Sequence, residues 1–442
     1  MANRLVAGTF DAESYWRDES LARLPALRDR ESERIVLAMD ELLFPLCGSG
    51  DALLTRFAME ESHKTYLSKI GFSFTHFNLN GKNAEPNLFK TLAGSEARDE
   101  NYSAYRYLSP FSIVPYTHAA AAQYGFKTEL PSLEAVKSVN SKIYSTQLSE
   151  KLLGETRGKP VYSAEELSVF GLELLETHGP TLIKDPYGVS GKGNMLIQSK
   201  TALDRTAAYI RKQEENGRSA AFVLEPYLEV ESDFSCQFEI MQGGAFRLVS
   251  LQKILNRQFA YLGSVSMEKE EQNTLEKNGY FDIMEQAAWS LYRDGYFGPV
   301  CIDSMTLRDG TLVPIVEINA RQSMGFINHH LDQVLGRNGK KGLLTFRSIG
   351  FRERVDYEGW LNELKRQDIL YPNQKGNGIV PLSSAALLAN APTLDDEAAP
   401  ESGGYYKGRL YMSIVSDDDM ERERYLDRLR LIFERRGGKW HS

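Results

Sequence analysis

Cysteine is scarce in this 442-residue chain: Cys47, Cys236 and Cys301 are odd in number, far apart and never in C-x-x-C spacing. That pattern points away from a disulfide framework or a zinc site, and a reducing cytoplasm is the expected compartment. Long apolar runs are missing too. The first twenty residues, MANRLVAGTFDAESYWRDES, contain no apolar h-region, and no stretch approaches the ~18 apolar residues of a membrane span. Neither export nor embedding is expected. Excess positive charge is also absent: 52 Lys and Arg against 60 Asp and Glu leave a net charge of −8, so no global footprint for nucleic acid exists. No internal repeat is visible. What remains is 42% apolar and 25% charged, the composition of a globular protein, and at about 150 residues per domain its length predicts roughly three domains.

Two familiar phosphate signatures are absent as well. The stretch PTLIKDPYGVSGKGNMLIQS, residues 180–199, is dense in glycine, yet the position five residues before Gly191-Lys192 is Pro186, which rules out a Walker loop. Gly191 and Gly193 are followed three residues on by Leu196, which rules out a dinucleotide fingerprint. The flanks are short apolar runs of strand length, and the next helical pattern begins only near Ala202. The loop therefore joins two strands. With no helix N-terminus behind it, it would hold an anion through its own N–H groups and through Lys184 and Lys192. An ordinary glycine-rich hairpin turn fits the same residues.

Upstream, ERIVLAMDELLFPL reads as a strand with a turn, DALLTRFAMEESHKTYLSKIGF as a helix ending at Gly71, and FSIVPYTHAAAAQYGF as a strand followed by a helix. Residues 30–140 thus read as a small α/β domain without a glycine fingerprint. Near the C-terminus, GNGIVPLSSAALL and GRLYMSIVSD are strand-like. The acidic NAPTLDDEAAPESGG between them reads as a mobile loop. ERERYLDRLRLIFERR places Tyr425, Leu429, Ile432 and Phe433 on one helical stripe.

The second chemical signal is GPVCIDSMTLRDGTLVPIVEINAR, residues 298–321. Two strands flank Asp309-Gly310, and alternation puts Glu317, Asn319 and Arg321 on one face. A carboxylate and an amide oxygen roughly 7 Å apart could grip magnesium, which takes oxygen ligands and shares them with phosphates. Asp303 on the partner strand is the natural third ligand. A two-residue turn at Asp309-Gly310 would set Asp303 against Val316, on the wrong face. A bulge, or an odd loop centred on Gly310, would set it against Glu317. Pro314, with no N–H to donate, makes such an irregularity reasonable. A solvated strand face is the competing account of the same three residues.

Together, IKDPYGVSGKGN and DSMTLRDGTLVPIVEINAR resemble the phosphate-covering loop and the metal and phosphate site of the ATP-grasp superfamily, over roughly residues 140–335. The resemblance implies an α/β and α+β architecture in which two α+β subdomains sandwich ATP, at residues 141–345 with a lid hairpin at 180–199. It implies ATP and magnesium as cofactors. Lys142 and Lys184 take the places of the two phosphate lysines, and Gly188, Ser190, Gly191, Lys192 and Gly193 form the lid. AFVLEPYLE resembles the adenine linker, with Glu225, the Pro226 carbonyl and the Leu228 N–H. Asp233 falls where the ribose acid stands, with Glu231 competing. Asp303, Glu317 and Asn319 become metal ligands, and Arg321 with Lys184 the catalytic pair. Aspartate at 303 and 233, where many members have glutamate, and the hinge proline are departures.

Residues 1–140 and 346–442 look like the flanking domains of a bacterial subgroup with a pre-ATP-grasp domain and an extra C-terminal domain. That subgroup includes the pheganomycin peptide ligase and, more loosely, the ligase that loads glutamate onto a carrier protein in butirosin biosynthesis. The implied activity is ATP-dependent, ADP-forming joining of a carboxylate to an amine, with transfer to a carrier-protein thiol as the alternative. A nucleotide-binding regulator without catalysis is the reading from another class. Implied partners are a small-molecule carboxylate and an amine or peptide, with an acyl carrier protein and a homodimer as further candidates; no nucleic acid and no membrane partner is implied. His329-His330, Lys253 and Arg257 carry no site on this reading.

Overall fold

The computed structural model describes residues 3–79, 85–94, 100–154, 157–189, 192–257, 260–336, 339–392 and 404–441. Its N-terminal part is a parallel sheet in the order Thr75–Asn78, Ala52–Thr55, Arg4–Ala7, Tyr107–Pro110. The expected strand in ERIVLAMDELLFPL is not there: Arg30–Leu37 is α-helix and Ala38–Leu46 is 3-10 helix. The run IVL mimics a strand, but Asp29 caps a helix by accepting the Ser32 N–H at 2.9 Å, and Glu31 and Glu33 sit in the first turn, where the helix dipole favours acid. Local capping overrides β-branched propensity here. The next segment divides differently too, into the strand Ala52–Thr55 and the helix Glu61–Lys69. The strand Tyr107–Pro110 ends just before the FSIVP that seemed to carry it, and the helix Thr117–Tyr124 follows.

A second, four-stranded sheet runs Lys159–Val161, Phe222–Pro226, Thr181–Val189, Lys192–Ile197, all antiparallel. Helices Ala164–His178 and Lys200–Glu215 cover it, with Ser163 and Ser199 as side-chain N-caps. Leu167, Ile183, Leu203, Ile210, Phe222 and Leu224 form its own core. The glycine-rich stretch is the hairpin at this sheet's edge.

The third sheet has nine strands among the described residues, in the order Leu312–Asn319, Gly298–Leu307, Val230–Ile240, Phe246–Arg257, Ala260–Ser266, Gly342–Phe351, Tyr406–Val415, Gly378–Pro381, with Lys439–His441 also on Gly342–Phe351. The strand Gly342–Phe351 passes through residue 346 and carries the sheet from the central region into the C-terminal one. The final helix, Asp419–Arg435, buries Tyr425, Leu429, Ile432 and Phe433, the stripe read from its sequence. Most of the acidic loop beginning at Asn390 lies outside the described residues. No helix among the described residues is long and apolar enough to cross a membrane.

Candidate active site

The register of the Asp303 hairpin is the first test of the site. Near its tip Thr306 pairs with Leu312 and Met305 with Val313, but Asp303 pairs with Glu317. Three residues, Pro314 to Val316, therefore oppose Ser304 alone. This bulge contains the proline that cannot donate to the ladder, and Ser304 Oγ donates to the Pro314 carbonyl at 2.8 Å. Directly paired residues share a face, so the carboxylates of Asp303 and Glu317 lie side by side. Asn319 joins them, its Nδ2 donating to Asp303 Oδ2 at 3.2 Å. Burial first, and then the charge of Glu317, pushes the Asp303 carboxyl up to about 7, against the opposing pull of Arg321 and Lys142.

Lys142 is placed by the helix Lys142–Leu153, which docks on the open edge of Leu312–Asn319. Ser145 Oγ accepts the Ile318 N–H at 3.0 Å, and Asn140 Oδ1 accepts the Ala320 N–H at 2.9 Å, so two side chains take the ladder positions a further strand would have taken. At the head of that helix Lys142 is 5% exposed. Its Nζ donates to Glu317 Oε1 at 2.5 Å and to the Gly188 carbonyl of the glycine hairpin at 2.8 Å. One ammonium thus touches both motifs.

Lys184, buried in the hairpin's first strand, pairs with Glu225 on the adjacent strand. The chain then turns at Pro226, and the Tyr227 N–H donates to the Pro180 carbonyl at 2.8 Å. Leu228 follows as irregular chain. Asp233 on Val230–Ile240 accepts from Asn256 Nδ2 at 3.0 Å, and burial raises its carboxyl above the usual range; Glu231 is exposed. Gly193 has φ of +101°, and a Cβ there would come within 2.8 Å of the Gly188 Cα, so the hairpin closes only without a side chain. Ser190 and Gly191 lie outside the described residues, as does the side chain of Lys192.

Sequence reasoning missed two residues, Glu13 and Arg17, in and just after the short helix Ala12–Trp16. Arg321 Nε donates to Glu13 Oε1 at 3.0 Å, Nη2 donates to the same oxygen and, at 3.0 Å, to Asn319 Oδ1, and Nη1 donates to the Gln322 carbonyl at 3.1 Å. Burial is the largest single influence and lowers the guanidinium's proton affinity, but the charge and hydrogen bond of Glu13, with the nearby Cys301 and Glu317, together outweigh it and the affinity is raised. Arg17 pairs with Asp185 of the glycine hairpin at 3.0 Å. Neither has a local signal beyond the spacing of Ala12 and Trp16, apolar residues four apart in a polar lead. His330 Nδ1 meets the Phe326 carbonyl of its own helix, and Lys253 pairs with Glu271, so neither enters the site.

Two carboxylates and an amide oxygen suit a hard divalent cation that completes its shell with phosphate oxygens and water. Among the described residues no cluster of three or more His, Cys, Asp or Glu could hold a metal alone. A cation between Asp303 and Glu317 would relieve the repulsion from Glu317 that adds to burial in raising the Asp303 carboxyl. The donor set fits.

No protein-family model matches the chain. Among curated proteins, the [butirosin acyl-carrier protein]–L-glutamate ligase of Niallia circulans is 23% identical over 351 residues, 77% of this chain and 78% of that protein. Among solved structures, biotin carboxylase of Campylobacter jejuni, as a β,γ-ATP complex, is 12% identical with a TM-score of 0.55, covering 96% of this chain and 90% of that one. The biotin carboxylase domain of Hydrogenobacter thermophilus 2-oxoglutarate carboxylase, with MgADP, is 14% identical with a TM-score of 0.52, covering 99% and 90%. N5-carboxyaminoimidazole synthetase of Staphylococcus aureus is 11% identical with a TM-score of 0.51, covering 98% of each chain. The likeness to these structures is one of fold: the chain has the ATP-grasp fold.

Proposed function

We propose that the chain is an ATP-dependent ligase that activates a carboxylate as an acyl phosphate and joins it to an amine, releasing ADP and phosphate. The observation that carries this reading is the position of Lys142 Nζ, within hydrogen-bond reach of both the glycine hairpin and Glu317. Only a ligand with several anionic oxygens, such as a nucleotide polyphosphate, would use that ammonium, the hairpin and the carboxylate pair together.

In this reading Lys142, Lys184 and the hairpin hold the phosphates, while Glu225, the Pro226 carbonyl and the Leu228 N–H face the adenine, and Asp233 the ribose. Asp303, Glu317 and Asn319 hold magnesium, which when bound offsets phosphate charge. Lys184 and Arg321 stabilise charge on the transferring phosphoryl group and the acyl phosphate, which supplies rate by positioning and electrostatics. The hairpin is the lid, and shutting out water protects the acyl phosphate until the nucleophile arrives. The reading divides the chain into a pre-ATP-grasp domain at 1–140, the ATP-grasp domain at 141–345 and a C-terminal domain at 346–442, acting in the cytoplasm.

The Niallia circulans relative favours a second reading of the acceptor alone, a carrier-protein thiol with glutamate as donor. Release of ADP from MgATP across a panel of amino acids, each offered to amines, peptides, hydroxylamine and a carrier-protein thiol, with mass analysis of products, separates the two. Amide products support the first, thioesters the second. Release of AMP, or turnover with no carboxylate present, would overturn both.

A further inference from the structure

The segment that follows the helix Ala12–Trp16 leaves the N-terminal domain and enters the lid subdomain. Trp16 is its fixed end, 1% exposed, with Nε1 donating to the Ile113 carbonyl at 2.8 Å. Six residues on, Ala22 and Leu24 belong to the lid's own core, beside Val161, Ile183 and Phe222. Leu21 forms a parallel bridge with Ser219; the Ala22 N–H donates to the Ser219 carbonyl at 2.8 Å and the Ser219 N–H to the Ser20 carbonyl at 2.9 Å. Gln213, on a lid helix, both donates to and accepts from the Arg23 backbone. Residues 20–24 are therefore part of the lid by packing, though the N-terminal domain supplies them.

Arg17 stands at the junction. Its Nη1 donates to the carbonyls of Asp18 and Leu21, both at 3.2 Å, its Nη2 donates to Ala22 at 2.5 Å, and Nε and Nη2 reach the Asp185 carboxylate at about 3 Å. A guanidinium has five N–H donors in a rigid fork, and all three of its nitrogens hydrogen-bond here. The pair is largely enclosed, with side chains 9% and 8% exposed, where an ion pair is stronger than at a surface. Asp185 follows Lys184 directly and accepts the Tyr187 N–H at 3.0 Å, so Arg17 fixes the backbone that carries the lid's lysine. Four residues earlier Glu13 holds Arg321. Its Oε1 takes both Arg321 donors, and its Oε2 is buried with no donor among the described residues.

We propose that residues 13–24 form a strap joining the two jaws of the site, with Glu13 the positioning residue for Arg321 and Arg17 the positioning residue for the lid. The strap rests on the lid reading given above, and adds that the lid does not move independently of the N-terminal domain. Any opening bends the chain between Trp16 and Ser20 and works against the contacts of Arg17 with Leu21, Ala22 and Asp185. Nucleotide, by holding the lid, orders the strap as well.

Hydrogen exchange on the full chain, with and without MgADP, tests this. In the wild type MgADP slows exchange in residues 181–197 and in residues 17–24 together. In Arg17→Ala exchange across 181–189 of the free protein rises at least tenfold and the MgADP Kd rises about tenfold, while strand Arg4–Ala7 keeps its wild-type protection. Arg17→Lys, with three donors, recovers part of both effects. The strap is overturned if MgADP protects 181–197 and leaves 17–24 unchanged, or if Arg17→Ala changes neither lid exchange nor Kd by more than twofold. If MgADP changes exchange nowhere in the wild type, the nucleotide site itself falls, and the strap with it.

Discussion

Gly193 offers the sharpest perturbation of the lid. An alanine there meets two separate costs. At φ of +101° an L-residue is strained, by about 1–2 kcal/mol on general grounds. Its Cβ would also stand 2.8 Å from the Gly188 Cα and 3.2 Å from the Asp185 Cβ. The first of these is backbone, which no rotamer change can move aside, and overpacking of that kind adds about 1–3 kcal/mol. The hairpin can relieve the contact only where its register is already irregular, between Lys184 and Val189, which spreads the strands and shifts the Gly188 carbonyl from Lys142. A total of about 2–5 kcal/mol in the hairpin corresponds, at about 1.4 kcal/mol per decade, to a loss of MgADP affinity of roughly thirtyfold to a few thousandfold if binding needs the closed hairpin.

Gly217→Ala is the matched control. It sits in the same subdomain at φ of +80°, with nothing within 4 Å of its Cβ, so it bears the conformational strain without the contact. Calorimetric titration of MgADP into both variants, with far-ultraviolet dichroism to confirm folding, should show weak binding in Gly193→Ala and near wild-type binding in Gly217→Ala. Equal affinities in the two variants, both folded, would refute the claim that the Gly188–Gly193 approach shapes the nucleotide site.

Other outcomes follow from single contacts. Glu317→Gln and Asn319→Ala should each abolish ADP release and shift unfolding stability by no more than about 1 kcal/mol, checked by urea titration, because both side chains are only partly enclosed. Lys184→Met should raise the MgADP Kd at least tenfold, since it leaves Glu225 without its cation beside the phosphates; titration calorimetry reads this directly. His63 is fully buried against the Pro381 carbonyl, and burial pulls its pKa down to about 4 from an unfolded value near 6.5. The unfolded chain therefore binds the proton more tightly, so stability is full above pH 6.5 and falls by up to about 3 kcal/mol as pH drops toward 4. Denaturant titrations at several pH values should show this slope reduced in His63→Gln.

The parts of the fold legible in the sequence are those whose cause is local. Glycine density and strand-length flanks mark the hairpin at 180–199, alternation marks Glu317 and Asn319, and Pro314 hints at the bulge that brings Asp303 opposite Glu317. Residues 30–46 were misleading because two local signals compete there, and the cap at Asp29 outweighs a β-branched run. The nine-stranded sheet was not legible for a different reason. Gly342–Phe351 pairs with Gly263 and Ser264 on one side and with Tyr406–Val415 on the other, across separations that leave no mark in either segment.

Glu13 and Arg17 show why the polar lead was the hardest part to read. Charged residues in a stretch with little apolar periodicity suggest a solvated tail, since ionised groups are costly to bury. Here the cost is offset partner by partner. Arg321 meets Glu13 across 308 residues of sequence, and Arg17 meets Asp185 across 168. Each partner belongs to a motif that, read alone, already has enough chemistry to account for its charges. The sequence around Arg321 suggests a free guanidinium waiting for substrate; the structure has it held on three sides, so in the proposed function an acyl phosphate would compete with Glu13, Asn319 and the Gln322 carbonyl for its donors. That competition is a reason for the site to use an arginine: with five donors it can exchange one acceptor for a substrate oxygen and keep the others, whereas a lysine with three would give up a larger share of its anchoring.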